Sequence, residues 1–376
     1  MKKLLTRALP LLLTVALALL PLVSLVSCKT HGAVMTCGNV EITEDLYEYW
    51  MGAYKAKILG SYSDVKDTEE YWSSMINDTQ TAEEYLTEMI DTIIRHKLLS
   101  VYVFDTMGFR LSDSEREEIN EYLELLVSSY TENGKKSEFN EYCEQFGIDY
   151  DGVKLMLIME YKVEALPGLL FGDKGERPLG ASDYDTYYRA EYCRMKEIWI
   201  NTEFKYVTDS EGNRVTDSEG YYKTEKLTET ERAVALTRAD ELAAKLESVT
   251  TDEEFEKLID EYSDFELNKE YPNGMYLCEV STYIDKVVMA SLKLEVGEMT
   301  TVESSYGRHF IRAYPLEDGA FEEKENEDFF DQFEEQAKNY FLELELARHA
   351  DKVVVNSELK ALYPLSKVKR NYSYFY

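Results

Sequence analysis

Residues 296–313, VGEMTTVESSYGRHFIRA, decide how this chain reads. Gly297-Glu298 signals a turn. Residues 299–303 then read as a short strand, 304–307 as a tight connection, and 309–313 as a return strand with alternating character. These residues alone predict a hairpin with one histidine, His309, at the start of its return strand.

Working outward, residues 194–201 read as a strand with Ile198 and Ile200 on one face. Leu227-Thr228 leads a long helix that turns Ala233, Leu236, Ala239, Leu242, Ala243 and Leu246 inward. Thr251 caps a second helix, with Phe255, Leu258, Ile259 and Tyr262 inward. Residues 263–279 read as a loop turning at Pro272-Asn273-Gly274, and 282–294 as a third helix ahead of the hairpin. The hexapeptide VTDSEG occurs at 207–212 and again at 215–220. Two turn-forming copies so close together predict a protruding β-hairpin. Their acids lack the spacing of a calcium loop, so a solvated loop tip is expected.

This order of strand, two helices, loop, helix and hairpin resembles the parvulin-type peptidyl-prolyl isomerases. That family closes its domain with Gly-Glu-hydrophobic-Ser/Thr, a strand, and Gly-x-His-hydrophobic-hydrophobic. Gly297, Glu298, Met299, Thr300, Gly307, His309, Phe310 and Ile311 occupy those places. The resemblance covers roughly 192–314 and sets a parvulin-like domain at 191–315. It implies cis–trans isomerase (rotamase) activity and a catalytic cluster containing His309 and Thr300. The family's first-strand histidine falls on Glu197, and its Cys/Asp position falls near Phe265, with Asp264 just before it. Tyr276, Tyr283, Val287 and Phe265 map to the pocket that holds the proline ring. Half of the polar cluster thus departs from the family pattern. A carboxylate cannot reproduce a neutral histidine pair, and a phenylalanine cannot hydrogen-bond.

Upstream, residues 33–37 and 40–42 read as short strands around Gly38-Asn39, and Thr43 caps a helix from Glu44. The stretch 61–81 is polar and turn-rich. A strong helix follows, carrying Leu86, Met89, Ile90, Ile93, Ile94, Leu98 and Val101, with His96 off the stripe and expected to be exposed. Ser112 with Glu115 forms a capping box for the next helix. Further helices are expected over 139–146 and 149–166, the latter ended by Pro167-Gly168, with a linker over 168–180. These hairpins resemble the helical N-terminal chaperone domain of extracytoplasmic foldases of the SurA/PrsA type, placed at 28–180. After the parvulin-like domain, Phe330, Ala337 and Leu344 recur every seventh residue, with Phe333, Tyr340 and Ala347 between them. Residues 320–366 are expected to supply a helix and a strand (351–356) that pack on the N-terminal domain. The tail, 367–376, is expected to fray.

The expected fold class is therefore α+β: a SurA/PrsA-like helical domain completed by a C-terminal helix, with an inserted parvulin-like β-α-α-α-β-β domain.

The chain has 376 residues, a formal net charge of −32 and 30 tyrosines. Such acidity argues against nucleic-acid binding, because phosphate is repelled. Residues 1–27 read as a secretory signal, with Lys2, Lys3 and Arg7 ahead of an apolar run. Leu25-Val26-Ser27-Cys28 resembles the bacterial lipobox, which makes Cys28 the lipidation site and implies a diacyl (palmitate-type) anchor on an extracytoplasmic membrane face. Cys37, Cys143, Cys193 and Cys278 lack metal spacing and read as buried small hydrophobes. No cofactor and no metal are called for. Implied partners are unfolded or exported polypeptides and the membrane, and the resemblance admits a homodimer. Three functions follow: a lipid-anchored foldase with isomerase activity, a catalytically inactive holdase on the same fold, and, ranked below both, a surface solute-binding lipoprotein.

Overall fold

The computed structural model describes residues 32–62, 64–371 and 375. The signal segment and Cys28 lie outside them. The chain divides into two compact units, one running to Pro178 and resuming at Phe341, the other spanning Leu179–Tyr340.

In the first unit, β1 (Ala33–Cys37) and β2 (Val40–Thr43) form an antiparallel hairpin. Helix α1 (Glu44–Ser61) follows, with Glu44 and Asp45 in its first turn, where acids favour the helix dipole. A short helix α2 (Glu69–Ser73) forms inside the stretch that reads as turn-rich. The Thr68 side chain caps it, and Trp72 anchors it by donating its indole N–H to Asp67 at 3.0 Å. Helices α3 (Ala82–Thr106) and α4 (Asp113–Tyr130) each open on a capping box, Thr81/Glu84 and Ser112/Glu115. Helices α5 (Lys136–Cys143) and α6 (Tyr150–Phe171) complete this part.

Helix α6 runs through Pro167 rather than stopping before it. An internal proline costs about 3 kcal/mol, while burying one large apolar side chain returns roughly 1.5–3. The added turn buries both Leu170 and Phe171, so continuing the helix wins.

The second unit begins with α7 (Ala181–Glu191) and β3 (Cys193–Asn201). The ribbon β4 (Phe204–Tyr206) and β5 (Thr224–Lys226) carries the repeated hexapeptide between its strands. In each copy an aspartate, Asp209 or Asp217, accepts backbone N–H bonds from residues two and four positions on. These carboxylates thus hold their own turns. Next come α8 (Glu229–Leu246), α9 (Asp252–Tyr262), α10 (Leu267–Glu270), β6 (Met275–Leu277), α11 (Asp285–Ser291), β7 (Met299–Ser304) and β8 (Gly307–Tyr314). The sheet order is β6-β3-β8-β7, with every neighbouring pair antiparallel.

Strand β6 lies within the segment read as loop, and α11 is shorter than the expected 282–294. Three residues carry too little alternation to announce a strand, and β6 exists because it pairs with Cys193–Met195 of β3. One sheet face packs Ile198, Ile200 and Phe310 under α8 and α9. The other packs Met195, Met275, Leu277 and Ile311 under α11. Gly307, with φ 140°, must be glycine, because an added Cβ would lie 2.2 Å from the Ile200 carbonyl oxygen.

Helix α12 (Phe333–Ala347) follows. Leu344 is exposed, against its expected place on the apolar stripe, and Leu342 and Leu346 are buried instead. Phe330 precedes the helix, so a seven-residue count begun there starts out of the helix's phase.

The first unit resumes with β9 (Val353–Val355), which pairs antiparallel with β1 to give the order β2-β1-β9, and with α13 (Ser357–Lys360). His96, read as exposed, holds Glu343 at 2.9 Å with its side chain one-third exposed. The described part of the tail is docked, not frayed. Val368, Asn371 and Phe375 are buried. The Asn371 N–H donates to the Gly52 carbonyl at 3.0 Å. Phe375 stacks on Tyr49 at 5.9 Å and donates its N–H to the Tyr49 hydroxyl at 3.0 Å. Gly52 makes this approach possible, since a Cβ there would sit 2.5 Å from the Lys369 carbonyl oxygen. Among the described residues no helix is long and apolar enough to cross a membrane.

Candidate functional site

The register of β3 on β8 sets Trp199 opposite His309 and Glu197 opposite Ile311. Strand alternation sends all four side chains to the face covered by α11. Glu197 and His309 are thereby buried, 0% and 1% exposed, in a mostly apolar layer. A buried polar group left unpaired costs about 1–3 kcal/mol, so each needs a partner.

Their partners come from both ends of the layer. Tyr283, just ahead of α11, donates its hydroxyl to Glu197 Oε1 at 2.7 Å. Burial first, then the charge and hydrogen bond of Glu197, push the Tyr283 phenol well above its usual range, so it remains a donor. Glu197 Oε2 lies 3.5 Å from His309 Nδ1, too far for a good hydrogen bond. Both atoms are otherwise buried without a hydrogen-bond partner. Beyond the ring, His309 Nε2 is 2.7 Å from Ser304 Oγ, which accepts the Tyr306 N–H at 3.0 Å. A polar chain Tyr283–Glu197–His309–Ser304 results. Trp199 stacks on the imidazole at 6.4 Å and 17°. Phe265 meets Trp199 edge-on at 6.5 Å and Tyr283 at 6.3 Å.

Several residues singled out from sequence lie elsewhere. Thr300 stands opposite Ile311, on the same face as His309, but Val302 is the residue opposite the imidazole. The hydroxyl that reaches the ring belongs to Ser304, which the sequence reading missed. Strand parity was its signal, because 302 and 304 share a face and the tight turn brings 304 back beside 309.

Asp264 has partners of its own. Its carboxylate accepts the Asn201 N–H at 3.0 Å and pairs with Arg238 of α8, away from the polar chain. A charge-assisted pair with a guanidinium is the strongest partnership open to a half-exposed carboxylate. Met275 and Leu277 take the α11 face, so Tyr276 between them points the other way, fully buried, with its hydroxyl on Glu317 at 2.7 Å. Val287 is also fully buried, in the core beneath α11.

Phe265 and Tyr283 remain half-buried at the rim, together with Trp199. What faces outward is therefore three rings, with the Tyr283 hydroxyl turned inward to Glu197 and the ionisable pair sealed behind them. Such a surface can grip an apolar segment, but it offers solvent no general acid or base. Among the described residues no group of three or more His, Cys, Asp or Glu is placed to hold a metal.

No protein-family model and no curated protein matches the chain. Solved structures do. PrsA from Bacillus subtilis matches at 18% identity over 75% of this chain and 91% of its own, with a TM-score of 0.23. The peptidylprolyl isomerase PrsA from Bacillus cereus matches at 18% identity over 90% of this chain and 100% of its own, with a TM-score of 0.27. A structure reported for the SurA-like chaperones PEB4 and Cj1289 of Campylobacter jejuni matches at 15% identity over 68% and 94%, with a TM-score of 0.21. At likenesses of this size, the functional reading rests on the residues of this chain.

Proposed function

We propose that this chain is an extracytoplasmic foldase. It is held to a bacterial membrane by lipid on Cys28 and binds unfolded or exported polypeptides. Its second unit isomerises Xaa-Pro bonds. Rotation about a prolyl peptide bond breaks no covalent bond, and its barrier of about 20 kcal/mol reflects lost amide resonance. A site lowers that barrier by holding the twisted imide more tightly than the planar one. The observation that carries the reading is the aromatic rim of Trp199, Phe265 and Tyr283, set over a polar chain that fixes the Tyr283 hydroxyl. The rings would hold the pyrrolidine in an apolar seat, with Tyr283 kept in place by its hydrogen bond to Glu197. Glu197 and His309 act behind them as positioning residues.

The test is turnover of a proline-containing peptide by the full chain and by His309→Ala. The expected result is measurable catalysis that falls about tenfold in the variant, equivalent to about 1.4 kcal/mol. Background rates for both proteins would overturn isomerase activity.

A second reading, a holdase that binds without isomerising, is favoured by the burial of Glu197 and His309 and by the loss of Asp264 to Arg238. It predicts suppression of client aggregation whether or not the client contains proline.

A further inference from the structure

A separate cleft of about 810 Å³ opens in the second unit, where α7 meets the start of α12 and the segment before it. Its wall is aromatic. Phe321 stacks on Phe333 at 4.8 Å and 16°, and Tyr184 and Phe330 meet Phe333 at 6.0 and 5.6 Å. Its rim is acidic, with Glu322, Glu334 and Glu335. Gln332, also in the lining, has φ 59° and is the one non-glycine residue among those described with a positive φ. Left-handed backbone is costly for a side-chain-bearing residue, and such strain tends to collect at sites of use.

We propose that this cleft binds a cationic polypeptide segment, seating an Arg or Lys side chain against the aromatic wall and its charge among the rim carboxylates. The pairing follows from charge complementarity. Aromatic faces attract cations, most strongly where water is thinned, and carboxylates supply the countercharge. The electrostatic half of this pairing is already present in the cleft. Lys338, the cleft's own cation, sits 3.2 Å from Glu335. Its ammonium is held above its usual range, chiefly by the Glu335 hydrogen bond. A further cation entering beside Glu322 and Glu334 would meet the same surroundings. An excess of negative charge over the whole chain, −32, draws such a segment in and repels acidic ones.

This inference takes from the foldase reading only that the ligand is polypeptide. The probe is a fluorescein-labelled, unstructured peptide alternating Arg and Leu, followed by anisotropy with the full chain. Its counterpart replaces Arg with Glu. The Arg peptide should bind and the Glu peptide should not. The Glu322→Lys/Glu334→Lys double variant changes only exposed positions, so it should fold normally by circular dichroism and bind about tenfold more weakly. Phe321→Ala, which removes one face of the wall, should weaken binding as well. Unchanged affinity in the charge-reversed variant, or equal binding of both peptides, would overturn the proposal. Charge-dependent binding by a chain that neither isomerises prolines nor suppresses aggregation would leave the cleft standing and remove the foldase reading.

Discussion

Glu197 occupies an unusual position for a carboxylate. It is fully buried in the middle of a strand, donated to by Tyr283 and facing His309. Leaving a buried polar group unpaired commonly costs about 1–3 kcal/mol. Glu197→Leu would strand the Tyr283 hydroxyl. We expect it to destabilise the second unit by about 3 kcal/mol in urea unfolding, with Glu197→Gln, which still accepts from Tyr283, costing about 1. Equal stability of all three proteins would mean that the chain of contacts contributes nothing to the fold. The sequence showed Glu197 and His309 as isolated letters. What joined them was register, since β3 pairs with β8 and both residues fall on one face. Ser304 escaped notice for the same reason. Asp264, adjacent to Phe265 in sequence, was drawn off by Arg238, a partner that only the packing of α8 reveals.

At the scale of elements, capping chemistry was legible in advance, because it is local. Thr251 and Ser112 stand where their helices begin, each with its glutamate three residues on. The C-terminal tail was not legible. It is basic, aromatic and short, yet it docks against α1 through Gly52, Tyr49 and the Lys55 ammonium, which donates to the Val368 carbonyl at 2.9 Å. Asp67 ties this seam together, holding Lys55 at 2.9 Å and Arg370 at 3.1 Å. Burial alone would raise the Asp67 carboxyl. The hydrogen bonds from Lys55 and Trp72 and the charges of Lys55 and Arg370 outweigh it and hold the group below its ordinary range. A carboxyl depressed in the folded state contributes stability that is present above its unfolded pKa and lost as pH falls through the folded value. The seam should therefore loosen below about pH 4. Amide hydrogen exchange in 367–371 should speed up there in the native chain, and Asp67→Asn should remove that acid-dependent step. An unaltered profile in the variant would assign the step to other carboxylates.

For the whole molecule, the arrangement of the first unit makes a chain-level prediction. Strand β1 is flanked by β2 and β9, which lie more than three hundred residues apart in sequence. A chain ending at Pro178 keeps β1 and six helices but loses β9, α13 and the Phe375 side chain. It leaves one edge of β1 unpaired and the Tyr49 ring uncovered. Such edges and apolar faces promote association. We expect that truncated chain to run as soluble oligomers or aggregate on size exclusion. A chain in which a long Gly-Ser linker replaces Leu179–Tyr340 should run as a single species with one thermal transition. A monomeric, cooperatively folded truncated chain would show that the returning segment is dispensable.

By itself the sequence determined the local things: where helices start, where the hairpin turns, that the chain is α+β, and that the hexapeptide copies make a ribbon. Each of these depends on residues within a turn or two of one another, so the information lies in adjacent letters. Tertiary structure alone decided that β6 is a strand, that α6 continues through Pro167, that the tail is docked, and that Ser304 meets His309 while Tyr276 and Val287 are sealed in the core. Those outcomes depend on partners distant in the chain. Burial against them outweighs local preference, and no short stretch of sequence records which partner will be there.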